Sequence, residues 1–307
     1  MGRAAAALAA VMISGWAMPA GAASYDDLNY GIAARNRGNW DAAIAFLDKA
    51  LEAGDLNPDL QYVAHIDRGQ AHANKGELDA ALADLAVCID LRPDDPDALI
   101  ARASLYLALA KPGEARRDAE AILAANPDDD DAYLIRAKAY EGQGKVDDAF
   151  KDIQTVLAHD PKNQAIALDA GIIAFLAGRS EDAVTLLRPI SANALYPWLW
   201  LAMATVKQAK PVPADVPARA DAAAWPGPVV DFYLGKLDEN GLSAAAANGD
   251  PRRLPGQACE ANFYLAEWHK LHSDKAGAMP LFQKAAGNCP PGFIERLAAQ
   301  AEMNHDP

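Results

Sequence analysis

The sequence predicts an all-α solenoid of stacked helical hairpins, and three recurrences carry that prediction. At a spacing of 34 residues the chain repeats Pro93, Pro127 and Pro161; it repeats Gly69, Ala103, Ala137 and Gly171; and it repeats Ala81, Ala115, Ala149 and Ala183. A fixed period of this length belongs to arrays in which each hairpin buries its apolar face only against its neighbours. Proline falls where one hairpin ends and the next begins, because it cannot continue a helix interior. The small residues fall once on each helix, where two axes must approach closely.

The elements follow in order. Met1 to Ala22 reads as a secretory leader, with Arg3, an apolar run from Ala4 to Ala17, and Ala20-Gly21-Ala22 as the cleavage site. That run of about 14 residues is too short for a hydrocarbon core that needs about 20. The leader contains no cysteine that could carry a lipid. The expected mature chain therefore starts near Ala23, lacks a stable membrane anchor and is periplasmic.

The array is expected over 23–197. Its first hairpin, 24–57, carries Gly31, Gly38, Trp40, Ala43, Phe46 and Ala50, and the 38-residue step from Gly31 to Gly69 marks Gly54 to Asn57 as an inserted loop. The second, 62–95, has helices over Tyr62 to Asn74 and Leu78 to Leu91, with Gly76 in the turn. The third, 96–129, keeps Ala103, Tyr106, Ala115 and Pro127; the fourth, 130–163, keeps Ala137, Tyr140, Gly144, Ala149 and Pro161. The fifth, 164–197, keeps Gly171, Gly178 and Ala183 and loses the proline.

Beyond it, 198–256 reads as degenerate helices and a linker. Tyr196 to Lys207 is an apolar helix, Lys210 to Pro228 is Pro- and Ala-rich and expected to be extended, and Val229 to Lys236 and Glu239 to Asn248 are short helices before a break at Gly249 to Gly256. The segment 257–307 returns to phase with Ala266, Ala278, Phe282, Ala285 and Pro290, and closes with a helix over Ile294 to Met303.

With Gly69 as position 8, the combination of Gly or Ala at 8, Tyr at 11, Ala at 20 and Pro at 32 resembles the tetratricopeptide repeat (TPR) over Ser24 to Pro197. The departures are His72 at position 11, Cys88 at position 27 and Ala110 in place of a turn glycine. The succession WLWLAMA, VVDFYLGKLDENGL, ANFYLAEWHKL and LFQKAA resembles the C-terminal half of the NlpI-type periplasmic adaptor lipoproteins. That resemblance implies a non-enzymatic, dimeric adaptor that brings peptidoglycan hydrolases to a C-terminal processing protease. Their lipid-anchoring cysteine is missing here, and Cys259 and Cys289 are additional, so tethering is not carried over.

Two positions change chemical type together. Position 7 holds Arg68, Arg102 and Arg136, and position 23 holds Asp84, Asp118 and Asp152; the first repeat has Tyr30 and Phe46 there, the fifth Ala170 and Leu186, and the last hairpin Leu265 and Leu281. The joint change predicts contact: ion pairs in the middle repeats, apolar contacts elsewhere. The rival reading is an arginine ladder for carboxylate ligands. Cys289 at position 31 and Cys259 at position 1 adjoin in an antiparallel hairpin, which predicts a structural disulfide in an oxidising compartment. Neither shows the CxxC spacing of a redox or metal site. Cys88 is expected to be a buried free thiol.

A formal net charge of -14 excludes a nucleic-acid binder and a protein that lies on anionic lipid. No G-x-S-x-G, Walker loop or GxGxxG is present, so no catalytic residue or cofactor is expected. His269 with His272, and His65 with His72, lack a third ligand, so no metal is expected. Aspartate runs such as Asp128 to Asp131 sit at helix starts, where they cap orphan N–H groups.

TPR resemblance assigns positions 2, 5, 9 and 12 to a concave groove. These give Val63, Ile66 and Gln70; Ile100, Ser104 and Leu107; Leu134, Lys138 and Glu141; and Leu168, Ile172 and Phe175. So apolar a groove suits an amphipathic helix or hydrophobic peptide. Two other occupants stay open, the chain's own Tyr196 to Asn248 stretch and a second copy. The functional expectation is an exported scaffold that binds proteins in the envelope. Its alternative is a periplasmic protein binding a small ligand or metal beside Trp198, Trp200 and Trp225.

Overall fold

A computed structural model describes residues 22–192, 194–218, 224–290 and 292–305. Of the expected leader, 1–21 lie outside the described residues. The described residues form sixteen helices and no strand. Ten come in consecutive pairs: α1 (Ala22–Asn36) and α2 (Trp40–Glu52), α3 (Pro58–Lys75) and α4 (Leu78–Leu91), α5 (Pro96–Ala108) and α6 (Pro112–Ala125), α7 (Asp130–Gly142) and α8 (Val146–His159), α9 (Gln164–Leu176) and α10 (Ser180–Ser191). Then follow α11 (Leu195–Lys207), α12 (Gly227–Tyr233), α13 (Glu239–Ala246), α14 (Leu254–Leu271), α15 (Lys275–Asn288) and α16 (Ile294–His305). The fold is the all-α helical-hairpin solenoid that the period predicts.

Local chemistry sets the helix ends. Asn39, Asn57, Asp129 and Asn163 each accept a backbone N–H of the first turn of α2, α3, α7 and α9, and this satisfies donors that have no intrahelical partner. α3 starts at Pro58, four residues before the expected Tyr62, because Asn57 caps it and Pro58 is preset for a first helical turn. For the same reason Pro228 lies in the first turn of α12, not in the extended stretch, and Pro255 starts α14 inside the expected break. Between paired helices the chain turns through left-handed backbone at Gly38, Gly76, Gly144 and Gly178, and at Ala110 with φ 54°.

The described chain packs as two compact units, divided between Leu105 and Tyr106. In the N-terminal unit the apolar residues form small separate clusters, such as Leu28, Leu47, Leu56 and Ala64 around α1 to α3, and Tyr62, Cys88 and Ala98 around α3 to α5. Gly69 makes the α3–α4 approach possible: a Cβ there would lie 3.2 Å from Asp84 Cβ.

The C-terminal unit has one core that runs from Ala137 to Ala299. At Gly171 an added Cβ would lie 2.5 Å from Leu187 Cγ, so α9 and α10 need glycine there. The expected divisions at 197 and 256 do not divide this core. Trp198, Trp200, Val229, Val230 and Leu242 from the irregular segment are all buried in it. Trp200 stands among Phe175, Phe263 and Tyr264 at ring-centroid distances of 5.7, 5.5 and 6.4 Å. Large aromatic side chains bury the most apolar area per residue, which is why a stretch without repeat phase still packs tightly.

Among the described residues no helix is long and apolar enough to cross a membrane.

Candidate functional site

The arginine–aspartate positions meet as more than simple pairs. Arg68 Nε and Nη2 donate to Asp84 at 3.0 and 2.6 Å, while its Nη1 donates to Asp48 at 2.7 Å. His65 Nδ1 lies 2.8 Å from the same Asp84 carboxylate. Burial alone would raise the pKa of Asp84, but the hydrogen bonds from His65 and Arg68 outweigh it and hold the carboxyl below its usual range. Arg136 makes a forked contact with Asp152 at 2.8 and 2.7 Å and lies over the Tyr133 ring. Arg102 lies on α5 and the buried Asp118 on α6. In the first repeat Tyr30 and Phe46 touch at 5.5 Å between ring centroids. Arg68 and Arg136 are thus bonded to carboxylates of the chain itself.

Cys259 and Cys289 form a disulfide with an S–S distance of 1.92 Å. Cys259 is in the second turn of α14, not at its start, because Pro255 begins that helix earlier. Cys88 is free and buried, and burial pushes its thiol up to about 12.

Groove residues fall into two clefts, one in each unit. The C-terminal cleft, about 620 Å³, brings together Leu107, Lys138, Glu141, Leu168 and Ile172, all expected from the sequence. Its further wall is α16, which contributes Ile294, Leu297 and Gln300. Leu297 is 43% exposed there. Burial pushes Glu141 up to about 7, the charge of Asp169 adds to the rise and Lys138 opposes it. Asp169, also in the wall, is raised by burial against the pull of Lys138. Among the described residues neither carboxylate has a hydrogen bond or ion-pair partner.

The N-terminal cleft, about 490 Å³, is lined by Ile66, Gln70 and Ser104 with Leu85, Asp97 and Leu105. Two of its polar groups are engaged within the chain, and the exposed Asp97 carboxylate has no hydrogen-bond or ion-pair partner among the described residues. Gln70 accepts from Arg35 at 2.8 Å, and Ser104 donates to the Ile100 carbonyl at 2.8 Å. Val63 packs on the Leu28–Leu47 cluster, and Leu134 packs on the C-terminal core. Phe175 corrects the expectation: it is fully buried against Trp200 and lines neither of these two clefts. The chain's own α11 covers that end of the array, as one of the alternatives proposed.

The tryptophan cluster is likewise core. Trp198 and Trp200 are buried, and Trp225 Nε1 donates to Glu260 at 2.9 Å. Glu260 also accepts from the Tyr196 hydroxyl at 2.9 Å.

Glu260 belongs to a set the sequence reading missed. Glu260 and Glu267 lie seven residues apart on α14, and Glu295 and Glu302 seven apart on α16; all four are buried. Glu295 accepts from the Tyr264 hydroxyl at 3.4 Å, Lys270 bonds Glu302, and among the described residues Glu267 Oε1 has no hydrogen-bond partner. Burial and the charge of Glu260 push Glu295 up to about 7. Burial and Glu302 push Glu267 up to about 8, against Lys207 and Lys270. Four glutamates thus join the helix that walls the cleft to the core. The matched spacing on two helices was the available signal.

Among the described residues no group of three or more His, Cys, Asp or Glu is placed to hold a metal ion. Tetratricopeptide repeat models match residues 28–96 and 100–154, and a second such model matches 140–195. The chain is similar to a tetratricopeptide repeat protein of Parabacteroides merdae ATCC 43184, with 18% identity and a TM-score of 0.58 over 92% of this chain and 99% of that one. It is also similar to a double mutant of MamA from strain RS-1, with 21% identity and a TM-score of 0.50 over 55% of this chain and 93% of that one. At these identities the likeness is one of fold.

Proposed function

The chain belongs to the tetratricopeptide repeat proteins, and on that premise we propose that it is a non-enzymatic scaffold of the cell envelope whose C-terminal cleft holds a segment of another protein. Repeats of this kind serve protein interaction. The observation that carries the reading is the cleft itself, apolar on Leu107, Leu168, Ile172 and Leu297, with two carboxylates, Glu141 and Asp169, that have no hydrogen-bond or ion-pair partner among the described residues. The leader pattern and a disulfide that suits an oxidising compartment favour export. The sequence resemblance of the C-terminal half to NlpI-type adaptors favours the sharper form, an adaptor that brings a protease and peptidoglycan hydrolases together and works as a homodimer.

A photo-crosslinking residue in place of Leu168 tests the reading in the native envelope. The expected result is a discrete protein adduct that is absent when the same residue replaces Lys151, which is 73% exposed on α8 outside the cleft. Equal labelling from both positions, or none from 168, overturns it. A protease or cell-wall hydrolase in the adduct supports the adaptor form, and an adduct only with a second copy counts against it.

A further inference from the structure

We infer that the C-terminal cleft selects a cationic amphipathic segment, one that lays apolar side chains on Leu107, Leu168, Ile172 and Leu297 and a Lys or Arg against Glu141 and Asp169. The inference deepens the scaffold reading and rests on it. Two carboxylates and one ammonium, Lys138, line the cleft beside its apolar side chains, so with both acids ionised its walls carry one more negative than positive charge. Neither carboxylate has a hydrogen-bond or ion-pair partner among the described residues. Glu141 is half-buried and Asp169 exposed; a partly desolvated carboxylate gains when a charged donor reaches it, and charge-assisted bonds are the stronger kind. An acidic segment would meet repulsion from the same two groups, so charge complementarity decides between partners of equal hydrophobicity. The N-terminal cleft makes a weaker demand: Gln70 and Ser104 are already bonded within the chain, and it holds a single carboxylate, Asp97, where the C-terminal cleft holds two. Burial holds Glu141 at about 7, so the selection depends on pH: as pH falls from 8 to 6 Glu141 takes up a proton and its attraction for the cation fades.

Fluorescence anisotropy with the full mature chain tests this, using two labelled helical peptides of Leu and Lys or of Leu and Glu in the same pattern. The expected result at moderate salt is tighter binding of the Lys peptide by about tenfold or more. The double variant E141Q/D169N should lose that preference, while D128N/D131N, which removes two acids outside the cleft, should keep it. In the unsubstituted chain, affinity for the Lys peptide should fall between pH 8 and pH 6, and in E141Q/D169N it should not. Equal loss in both double variants would assign the preference to the general acidity of the chain and overturn the inference. Equal binding of the two peptides, or binding of neither, would also overturn it and leave the scaffold reading to the crosslink at 168. Failure of that crosslink would remove the reading beneath it.

Discussion

Residues up to Leu105 and residues from Tyr106 onward treat buried acids differently. In the N-terminal unit Asp84 is surrounded by Arg68 and His65, and its carboxyl is held below the ordinary range. In the C-terminal unit Glu260, Glu267 and Glu295 are all raised by burial, and among the described residues one oxygen of Glu267 has no hydrogen-bond partner. Asp67 departs from the first pattern, raised by burial that Arg35 does not offset. The lesson is about location. Paired charges hold the α3–α4 and α7–α8 hairpins, whereas carboxylates raised by burial lie on α7 and α9 in the cleft wall and where α14 meets α16, the helix whose Ile294, Leu297 and Gln300 line the cleft. Local conflicts of this kind concentrate at functional sites.

The largest expected effect comes from the covalent tie of the C-terminal unit. Closing a loop across a sequence separation of 30 stabilises by about 3 to 4 kcal/mol in the chain-entropy account. The C259S/C289S variant should lose stability of that order in urea unfolding followed by tryptophan fluorescence, and Trp198, Trp200, Trp225 and Trp268 all report on this unit. Next comes Asp84→Ala, which removes the carboxylate partner of His65, leaves Arg68 with Asp48 alone and should cost on the order of 2 kcal/mol. Replacing Asp84 and Arg68 together by apolar residues should cost less than D84A alone. A double replacement at least as costly as the single one would show that the pair does not work as a unit.

The pH responses follow with opposite signs. For Asp84 the folded pKa lies below the unfolded one, so its stabilisation is present at neutral pH and lost in acid as pH falls through the folded value. For Glu267 the folded value of about 8 lies above the unfolded one, so stability is full in mild acid and falls as pH rises toward 8. Glu267→Gln mimics the protonated acid. It should change little at pH 5 and stabilise at pH 8 by on the order of 1 to 2 kcal/mol. Equal effects at both pH values would contradict the assignment. The smallest effect belongs to Ala110, whose φ of 54° an L side chain adopts at a cost; Ala110→Gly should raise stability by about 1 kcal/mol, read as a shift in urea midpoint.

How much of this was legible depends on whether a feature repeats. The 34-residue recurrence named every hairpin from Gly69 to Ala183, and the joint switch of positions 7 and 23 pointed to the Arg68–Asp84 and Arg136–Asp152 contacts. Five cleft residues followed from the same phase. His65 and Asp48 did not, since each joins Arg68 or Asp84 in one repeat only. Helix α16 was foreseen as a closing helix, but not as a wall of the cleft, because its contact with α9 spans more than a hundred residues and has no periodic counterpart. Phe175 kept the groove phase and was still lost to Trp200, since packing by a neighbouring aromatic overrides a positional rule.

Hydrogen–deuterium exchange of the full mature chain with and without the Leu/Lys peptide tests the central claim most directly. The account predicts slowed exchange in α7, α9 and α16, with no change around Ile66 to Leu105. Protection confined to Ile66 to Leu105, or spread evenly along the chain, would contradict it.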